Sequence, residues 1–277
     1  MIYSKIIYCI FVDYNVEITT QLKSAIKAAI EDARRRPVSI AVFGQTGVGK
    51  SSLLNALFDL TLETSDSEPC TKEPMYVDLY SNSQTLRFID IPGWGEQQII
   101  DDGRKNEWQK LASEADIILL AIHSTSRSVD SEMNTLMSLL PRKRTKDVVV
   151  CCTQSDRLSE SDGWLYSLMG HNIKVKCRPE LRAQIERRSA YVASRASELI
   201  SKNCPVVYVS SHNGYNLVKL CTEILKRLPR KARIAFDSMI TTQKIGVLPR
   251  SRSAEFCDRV YIDKDEKNLI FDSNSFK

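Results

Sequence analysis

The feature that most constrains the fold is a glycine-rich loop between an apolar run and a helix-forming segment. Residues 38–43 (VSIAVF) are almost entirely apolar, and GQTGVGKSS follows at once as residues 44–52. Residues 44–51 fit the pattern GxxxxGK[ST], which in a strand–loop–helix context binds phosphate. The glycines let successive backbone N–H groups turn toward one anion, and the helix N-terminus adds positive potential. The motif therefore predicts a strand, a polyphosphate site and a helix, in that order.

Two side chains of this loop have predicted roles beside the backbone. Lys50 is predicted to neutralise the outer phosphates, and the Ser51 hydroxyl to coordinate a Mg²⁺ ion that bridges them. The alternative is a glycine-rich turn that merely links strand to helix, and the lysine and serine in register argue against it. The predicted nucleotide contacts of the loop are Gly44, Gln45, Thr46, Gly47, Val48, Gly49, Lys50, Ser51 and Ser52.

A second motif with a predicted site role is DIPG, residues 90–93, which closes the apolar run TLRFID. This order places the Asp90 carboxylate at the tip of a strand neighbouring the phosphate loop. Asp90 is predicted to hold Mg²⁺ through water, and the Gly93 N–H to meet the terminal phosphate. The structural alternative is an aspartate that opens a turn before proline. The phosphate loop nearby favours the metal role.

A proline-bracketed loop, EPCTKEP (68–74), lies between the two motifs. Its threonine, Thr71, is predicted to add a second hydroxyl to the metal. The separation from Lys50 is long enough for the chain to leave a helix and return across the nucleotide. Thr61 and Thr64 are competing candidates for this role.

Strand-like apolar runs alternate with helical patterns, which predicts an α/β fold with a mainly parallel sheet and helices on both faces. Residues 75–80 and 85–90 flank a polar turn and are predicted to form a hairpin, which gives one antiparallel edge strand. The section 160–203 is predicted to be mostly helical. An apolar cluster in it either packs on the core or presents a surface to a partner or a membrane. The cluster comprises Trp164, Leu165, Tyr166, Leu168 and Met169.

The 277 residues are predicted to form one large domain with appendages. Residues 1–36 are predicted to form a leader and an amphipathic helix that packs on this domain, because apolar residues recur on one side of the second half. The domain itself is predicted over 37–228. Residues 229–277 are a C-terminal extension, to which the sequence assigns only a short strand at 260–262 and an apolar patch at 269–271.

Composition limits the classes of partner and compartment. Basic and acidic residues number 39 and 34, so the net charge of +5 indicates nucleic acid or an anionic membrane only where it clusters. Eight cysteines without a CxxC pair predict a reducing cytoplasm. The N-terminal apolar run is too short to span a bilayer, so no transmembrane segment is predicted. His123, His171 and His212 show no metal-ligand spacing and are interpreted as structural.

Two further motifs complete a recognisable set. TQSD, residues 153–156, ends another buried strand, and VSS, residues 209–211, follows the last one. With the phosphate loop, the threonine and DIPG, they resemble the G motifs of the Era-like GTPases, a family of the translation-factor-related class. SSLLNAL (51–57) is similar to that family as well. The resemblance covers about residues 37–228 and implies a three-layer P-loop G domain that binds GTP or GDP with Mg²⁺.

The resemblance also implies how the base is recognised. In the family the aspartate, here Asp156, accepts hydrogen bonds from guanine N1 and N2, a pattern that adenine cannot offer. Gln154 stands where family members usually carry lysine, so relaxed specificity or ATP use stays open as an alternative. The residues carried over to base binding are Thr153, Gln154, Asp156, Ser210 and Ser211.

The main departure from the family pattern is Trp94, which follows DIPG where small GTPases place a water-orienting glutamine. An indole cannot polarise the attacking water. Hydrolysis would then need Glu96, Gln97 or Gln98, another chain, or the phosphate of the substrate itself. Slow turnover is therefore expected. The residues predicted to serve catalysis are Lys50, Thr71, Gly93 and Glu96.

These observations predict a slow GTPase switch that is stimulated by a partner or by a homodimer formed across the nucleotide face. A rival hypothesis from another class is a nucleotide-binding scaffold with little or no turnover. The effector is not identified, and a ribosome or RNA partner follows from family analogy alone. The predicted location is the cytoplasm, with peripheral membrane attachment as an alternative.

Overall fold

The strand VSIAVF forms as predicted and lies at the centre of the fold. The computed structural model describes residues 24, 37–58, 62, 73–81, 84–95, 102–140, 147–159, 163–169, 172–228, 248–249, 260–263 and 268–272. The chain divides into two units, Met1–Pro37 and Val38–Lys277, and all strands and helices named below belong to the second. Of residues 1–36, only Ser24 is described, and it is helical; the rest of the predicted helix lies outside the described residues, which resume at Pro37.

The elements follow the predicted alternation of strands and helices. In chain order they are β1 (Val38–Phe43), α1 (Lys50–Phe58), β2 (Met75–Ser81), β3 (Gln84–Asp90), α2 (Asp102–Glu114), β4 (Ile117–His123), α3 (Val129–Leu139), β5 (Asp147–Thr153), a 3-10 turn (Ser155–Leu158), β6 (Trp164–Met169), β7 (Asn172–Cys177), α4 (Pro179–Leu199), β8 (Val206–Tyr208), α5 (Leu217–Arg227), β9 (Leu248–Pro249), β10 (Val260–Asp263) and β11 (Asn268–Asp272).

The main sheet has six strands in the order β2-β3-β1-β4-β5-β8. Its pairs are parallel except for the edge strand β2, which runs antiparallel to β3. The predicted fold class, a mainly parallel sheet with one antiparallel edge strand, is confirmed. Strands β4 and β5 are apolar along nearly their whole length because helices cover both faces.

Alternating residues of β1 show the two core layers. Ile40 and Val42 face the layer that α1 and α5 complete, whereas Ala41 and Phe43 face the layer that α2, α3 and α4 complete. A strand turns successive side chains to opposite faces, so one apolar run supplies both layers. The sheet is therefore held from both sides, and its carboxyl-terminal edge is a fixed platform for the loops.

A second sheet contradicts the prediction that 160–203 is mostly helical. It has five strands in the order β10-β11-β6-β7-β9, and all described pairs are antiparallel. Strands β6 and β7 form a hairpin, and α4 begins only at Pro179. Alternation in NIKVKC (172–177), where apolar and polar residues follow one another, is a strand pattern that the helical prediction missed. Strand β11 pairs with β6, so the C-terminal extension adds strands to this hairpin.

The apolar cluster of the hairpin contributes to the core. Trp164 and Tyr166 are both buried, and the ring of Trp164 meets Tyr215 edge-on at a centroid distance of 4.9 Å. For these two residues the packing alternative is confirmed. Among the described residues, no helix is both long and apolar enough to cross a membrane.

Candidate functional site

The motifs found in the sequence come together at one edge of the main sheet. The phosphate loop follows β1, DIPG begins at the end of β3, residues 153–156 begin at the end of β5, and residues 209–211 follow β8. Since β1, β3, β4, β5 and β8 are parallel, their carboxyl ends share this edge. Ligands of open α/β sheets bind at this edge.

Glycines let three backbone segments approach one another closely here. At Gly44 φ is +150°, and a Cβ would lie 2.3 Å from the carbonyl oxygen of Ala121 in β4. At Gly93 a Cβ would lie 2.4 Å from the backbone nitrogen of Thr46. Only glycine fits at either position. The phosphate loop is therefore enclosed between the end of β4 and the DIPG motif.

Lys50 lies inside this loop with only 6% of its surface exposed. Its Nζ donates hydrogen bonds to the carbonyl oxygens of Gly44 at 3.2 Å and Gln45 at 3.1 Å. Burial lowers the pKa of Lys50 to about 8, an effect that the nearby Asp90 carboxylate partly offsets. The ammonium is therefore short of negative charge, and an anionic ligand in the loop would stabilise its charged form.

The two described residues of the predicted metal site touch each other. Ser51 Oγ donates a hydrogen bond to Asp90 Oδ2 at 2.6 Å, and Asp90 is fully buried. A hydroxyl and a carboxylate are the hard oxygen donors that Mg²⁺ prefers, so this pair fits the ion. The third predicted ligand, Thr71, lies outside the described residues.

Trp94 joins DIPG to the phosphate loop through its backbone and to the core through its side chain. Thr46 N donates to the Trp94 carbonyl at 3.0 Å, and Thr46 Oγ1 donates to the Gly93 carbonyl at 3.1 Å. The indole is 4% exposed and packs against Phe43 and Trp108, with ring centroids 6.5 and 6.3 Å away. It is a core side chain and not a site side chain. Glu96, Gln97 and Gln98 lie outside the described residues.

The TQSD motif is bonded directly to the phosphate loop. Thr153 Oγ1 donates to the Val48 carbonyl at 2.5 Å, and Gln154 Nε2 donates to the Gly47 carbonyl at 2.9 Å. These bonds hold two consecutive loop carbonyls toward the TQSD side. The segments predicted to bind phosphate and base therefore form one hydrogen-bonded unit.

Asp156 is oriented by the residues that follow β8. Its Oδ1 accepts a hydrogen bond from Ser210 Oγ at 2.5 Å, and the same hydroxyl accepts one from Asn213 N at 3.2 Å. Ser210 is fully buried, and its N–H donates to the Tyr215 carbonyl at 3.1 Å. The polar groups of Ser210 are thus engaged within the protein, so this residue holds Asp156. Ser211 is half-buried beside it.

His123 contacts the side chain of Gln154, a contact that the sequence did not predict. It ends β4, and its Nε2 lies 3.1 Å from Gln154 Oε1. The sequence predicts a structural histidine here because His123 has no metal-ligand spacing to the other histidines. The available signal was position, since His123 is the last residue of a parallel strand whose end belongs to the site edge.

Comparison with known proteins agrees with this geometry. Residues 39–154 match the family model described as 50S ribosome-binding GTPase. Over these residues the chain is similar to a P-loop GTPase domain, and the relatives and solved structures that resemble it include MnmE and Era. The GTP-binding character of this family matches the phosphate loop and the TQSD motif described above.

Relatives of this chain include two uncharacterized proteins of Escherichia coli (strain K12), YfjP and YkfA. Each is 26% identical over 194 residues, which is 70% of this chain and 63% of the relative. The tRNA modification GTPase MnmE of Porphyromonas gingivalis is 27% identical over 235 residues, 82% of this chain and 48% of MnmE. The chain therefore spans less than two thirds of the length of each of these relatives.

Solved structures of Era share the fold. Aquifex aeolicus Era bound to GDP·AlF₄⁻ superposes with a TM-score of 0.51 at 23% identity, covering 69% of this chain and 57% of Era. Era in complex with MgGDPNP and nucleotides 1506–1542 of 16S ribosomal RNA gives a TM-score of 0.52 at 22% identity, covering 70% of this chain and 58% of Era.

The burial of Trp94 gives a testable prediction for the candidate site. Trp94→Gln would supply the amide that small GTPases use, but the side chain would sit in the core. We expect urea denaturation to show a loss of about 3 kcal/mol or more in the free energy of unfolding. We expect phosphate release from GTP not to rise.

The matched control is Trp94→Phe, which keeps an aromatic ring against Phe43 and Trp108 and should destabilise less. A Trp94→Gln protein with unchanged stability and faster hydrolysis would contradict the placement of this side chain.

Proposed function

We propose that the protein binds GTP together with Mg²⁺ and hydrolyses it slowly to GDP and phosphate. The observation that carries this proposal is the buried hydrogen bond between Ser51 Oγ and Asp90 Oδ2, next to the loop that contains Lys50. This hydrogen bond places two hard oxygen atoms next to the lysine and the backbone N–H groups of the loop. Mg²⁺ bound there would bridge the outer phosphates and neutralise their charge.

The phosphate part of the proposal follows from charge. The triphosphate would enter the loop formed by residues 44–51, where backbone N–H groups and the N-terminus of α1 provide positive potential. Lys50 is buried and its pKa is lowered. Anionic oxygens would relieve the cost of keeping its ammonium away from water.

The base part of the proposal follows from Asp156. The Ser210 hydroxyl donates to one carboxylate oxygen and is itself held by the N–H of Asn213, so the carboxylate is pre-oriented. An acceptor pair at this point suits the N1–H and N2 amino group of guanine. Adenine lacks these donors, and an unmatched polar group is costly to bury. We therefore propose guanine over adenine despite Gln154, with ATP use as the alternative outcome.

Turnover is proposed to be slow because no described side chain replaces the water-positioning glutamine at the Trp94 position. Loops around Thr71 and Gly93, ordered by the terminal phosphate, would be the switch. Stimulation would come from a partner or from a second copy across the nucleotide face. A nucleotide-binding scaffold without turnover is the second candidate, and the burial of Trp94 favours it.

Location and partner class are further proposals. Cysteines 151, 152, 177, 204 and 221 are free thiols, which is consistent with a reducing cytoplasm. An RNA-containing partner is supported only by the relatives, since one Era structure holds 16S ribosomal RNA and MnmE is named for tRNA modification.

Phosphate release from GTP tests the turnover proposal. We expect a basal rate below about 0.01 s⁻¹, rising with protein concentration if a second copy completes the site. The control is Lys50→Met, which should neither bind nor turn over GTP. Fast release that does not depend on concentration would rule out slow turnover, and binding without any release would favour the scaffold.

Base specificity can be tested at Asp156. Asp156→Asn replaces an acceptor by an amide that also donates, so GTP affinity should fall about 100-fold in calorimetry. Xanthosine triphosphate presents an oxygen in place of the N2 amino group, so its affinity should rise. Asp147→Asn, at the opposite end of β5, is the control and should change neither affinity. Unchanged GTP affinity in Asp156→Asn would disprove the base-reading role.

Proton linkage provides a test of Lys50. The pKa of Lys50 in the free protein is about 8, and bound phosphates would raise it. Above about pH 8 binding should therefore take up a proton, and GTP affinity should fall as the pH rises. Calorimetry at pH 8.5 in buffers of different ionisation enthalpy measures this uptake. Lys50→Arg stays charged, so in this control the uptake should disappear. Equal uptake in both proteins would assign it to another group.

A further inference from the structure

A chain of hydrogen bonds with one possible direction runs from the end of β4 into the phosphate loop. Thr125 N donates to His123 Nδ1 at 3.2 Å, and a backbone N–H can only donate. His123 Nδ1 is therefore an acceptor. Thr125 Oγ1 also lies 2.8 Å from Nδ1, and its hydroxyl can donate to the same nitrogen, so both contacts are satisfied when the proton of the neutral ring is on Nε2. Nε2–H then donates to Gln154 Oε1 at 3.1 Å.

The far end of the chain requires the same direction. Gln154 Nε2 donates to the Gly47 carbonyl at 2.9 Å, and a carbonyl can only accept. The amide nitrogen of Gln154 must face the loop, so its oxygen must face His123. Both ends thus assign the same tautomer and the same amide orientation without choice. Bonds aligned in one direction strengthen one another.

Hydrogen bonds from neighbouring elements hold the loop that follows His123. Arg188 of α4 donates to the Ser124 carbonyl at 3.1 and 2.8 Å, and Ser124 Oγ donates to the Gln154 carbonyl at 2.8 Å. The backbone of Gln154 itself is left-handed, with φ of 53°. Burial lowers the pKa of His123, so the neutral ring that the chain needs is favoured at neutral pH.

Glutamine at this position needs such a partner, whereas lysine would not. A glutamine amide has a donor end and an acceptor end, and a flipped amide would turn its oxygen against the Gly47 carbonyl. A lysine ammonium only donates, so every rotation satisfies a carbonyl. The hydrogen bond from His123 therefore fixes which end of the Gln154 amide faces the loop.

We propose that His123 is a positioning residue of the nucleotide site, which fixes the amide of Gln154 so that it holds the Gly47 carbonyl and lies ready beside the base. This inference rests on the proposed function. It goes beyond that function by giving a role to a residue outside the predicted phosphate and metal ligands. Gln154 also lies over the loop, since a Cβ at Gly49 would be 3.7 Å from its Nε2.

The test compares His123→Asn with His123→Gln, whose new side chains differ by one methylene group. His123→Asn can keep an acceptor for Thr125 N but is too short to reach Gln154, whereas His123→Gln can place an amide N–H where Nε2–H lies. We expect GDP affinity, measured by calorimetry, to fall about fivefold to tenfold in His123→Asn and to stay within about twofold in His123→Gln. His123→Phe keeps ring volume without the donor and should behave like His123→Asn, should the latter not fold.

Repeating the His123→Asn change in a Gln154→Lys background separates positioning from a structural role. There the loss should shrink to within about twofold, because lysine needs no orientation. Equal losses in both backgrounds, or equal affinities of His123→Asn and His123→Gln, would overturn the inference. If the unmodified chain bound neither GDP nor GTP, the proposed function itself would be wrong. That result is distinct from the outcomes for the His123 variants, which compare affinities in a chain that binds nucleotide.

Discussion

The anchoring of the phosphate-loop carbonyls is the constraint on which the rest of the site depends. A peptide that turns its N–H toward an anion must turn its C=O away, and a donor on the far side holds the peptide in that orientation. The donors for Gly47 and Val48 come from Gln154 and Thr153, more than a hundred positions later in the chain. They reach the loop because β1, β4 and β5 are adjacent and parallel. The order of strands thus decides whether the loop can hold phosphate at all.

Charge in the site is arranged around the same edge. Lys50 and Asp90 are both buried, and the lysine donates hydrogen bonds to two carbonyls while the aspartate accepts one from a hydroxyl. Burial still lowers the pKa of Lys50, although the Asp90 carboxylate nearby partly offsets this effect. Anionic oxygens of a bound triphosphate would add negative charge next to this lysine. Part of the affinity for such a ligand would therefore come from relieving a cost that the free protein carries.

The sequence predicted those parts of the fold and the site that depend on local pattern. The strand before Gly44, the helix from Lys50 and the hairpin leading to Asp90 each follow from apolar periodicity and turn residues next to a motif. The hairpin of β6 and β7 was missed although NIKVKC has the alternation of a strand, and the burial of Trp164 and Tyr166 against residues distant in sequence leaves no local signal. The contacts of His123 and Ser210 could not be predicted for a related reason. Their roles consist of hydrogen bonds to Gln154 and Asp156, and such pairings arise only when the strands are brought together.

Gln154 and Trp94, the two departures from the family pattern, affect different parts of the site. Gln154 is compensated within the chain, since His123 restricts the amide and the loop carbonyl is still held. Trp94 is not compensated by any described side chain, because its indole is committed to the core beside Phe43 and Trp108. In the proposed function, nucleotide binding and hydrolysis are therefore separable. The described residues would form the nucleotide site, whereas a group that positions the attacking water would come from the segment after residue 95, from the nucleotide, or from another chain.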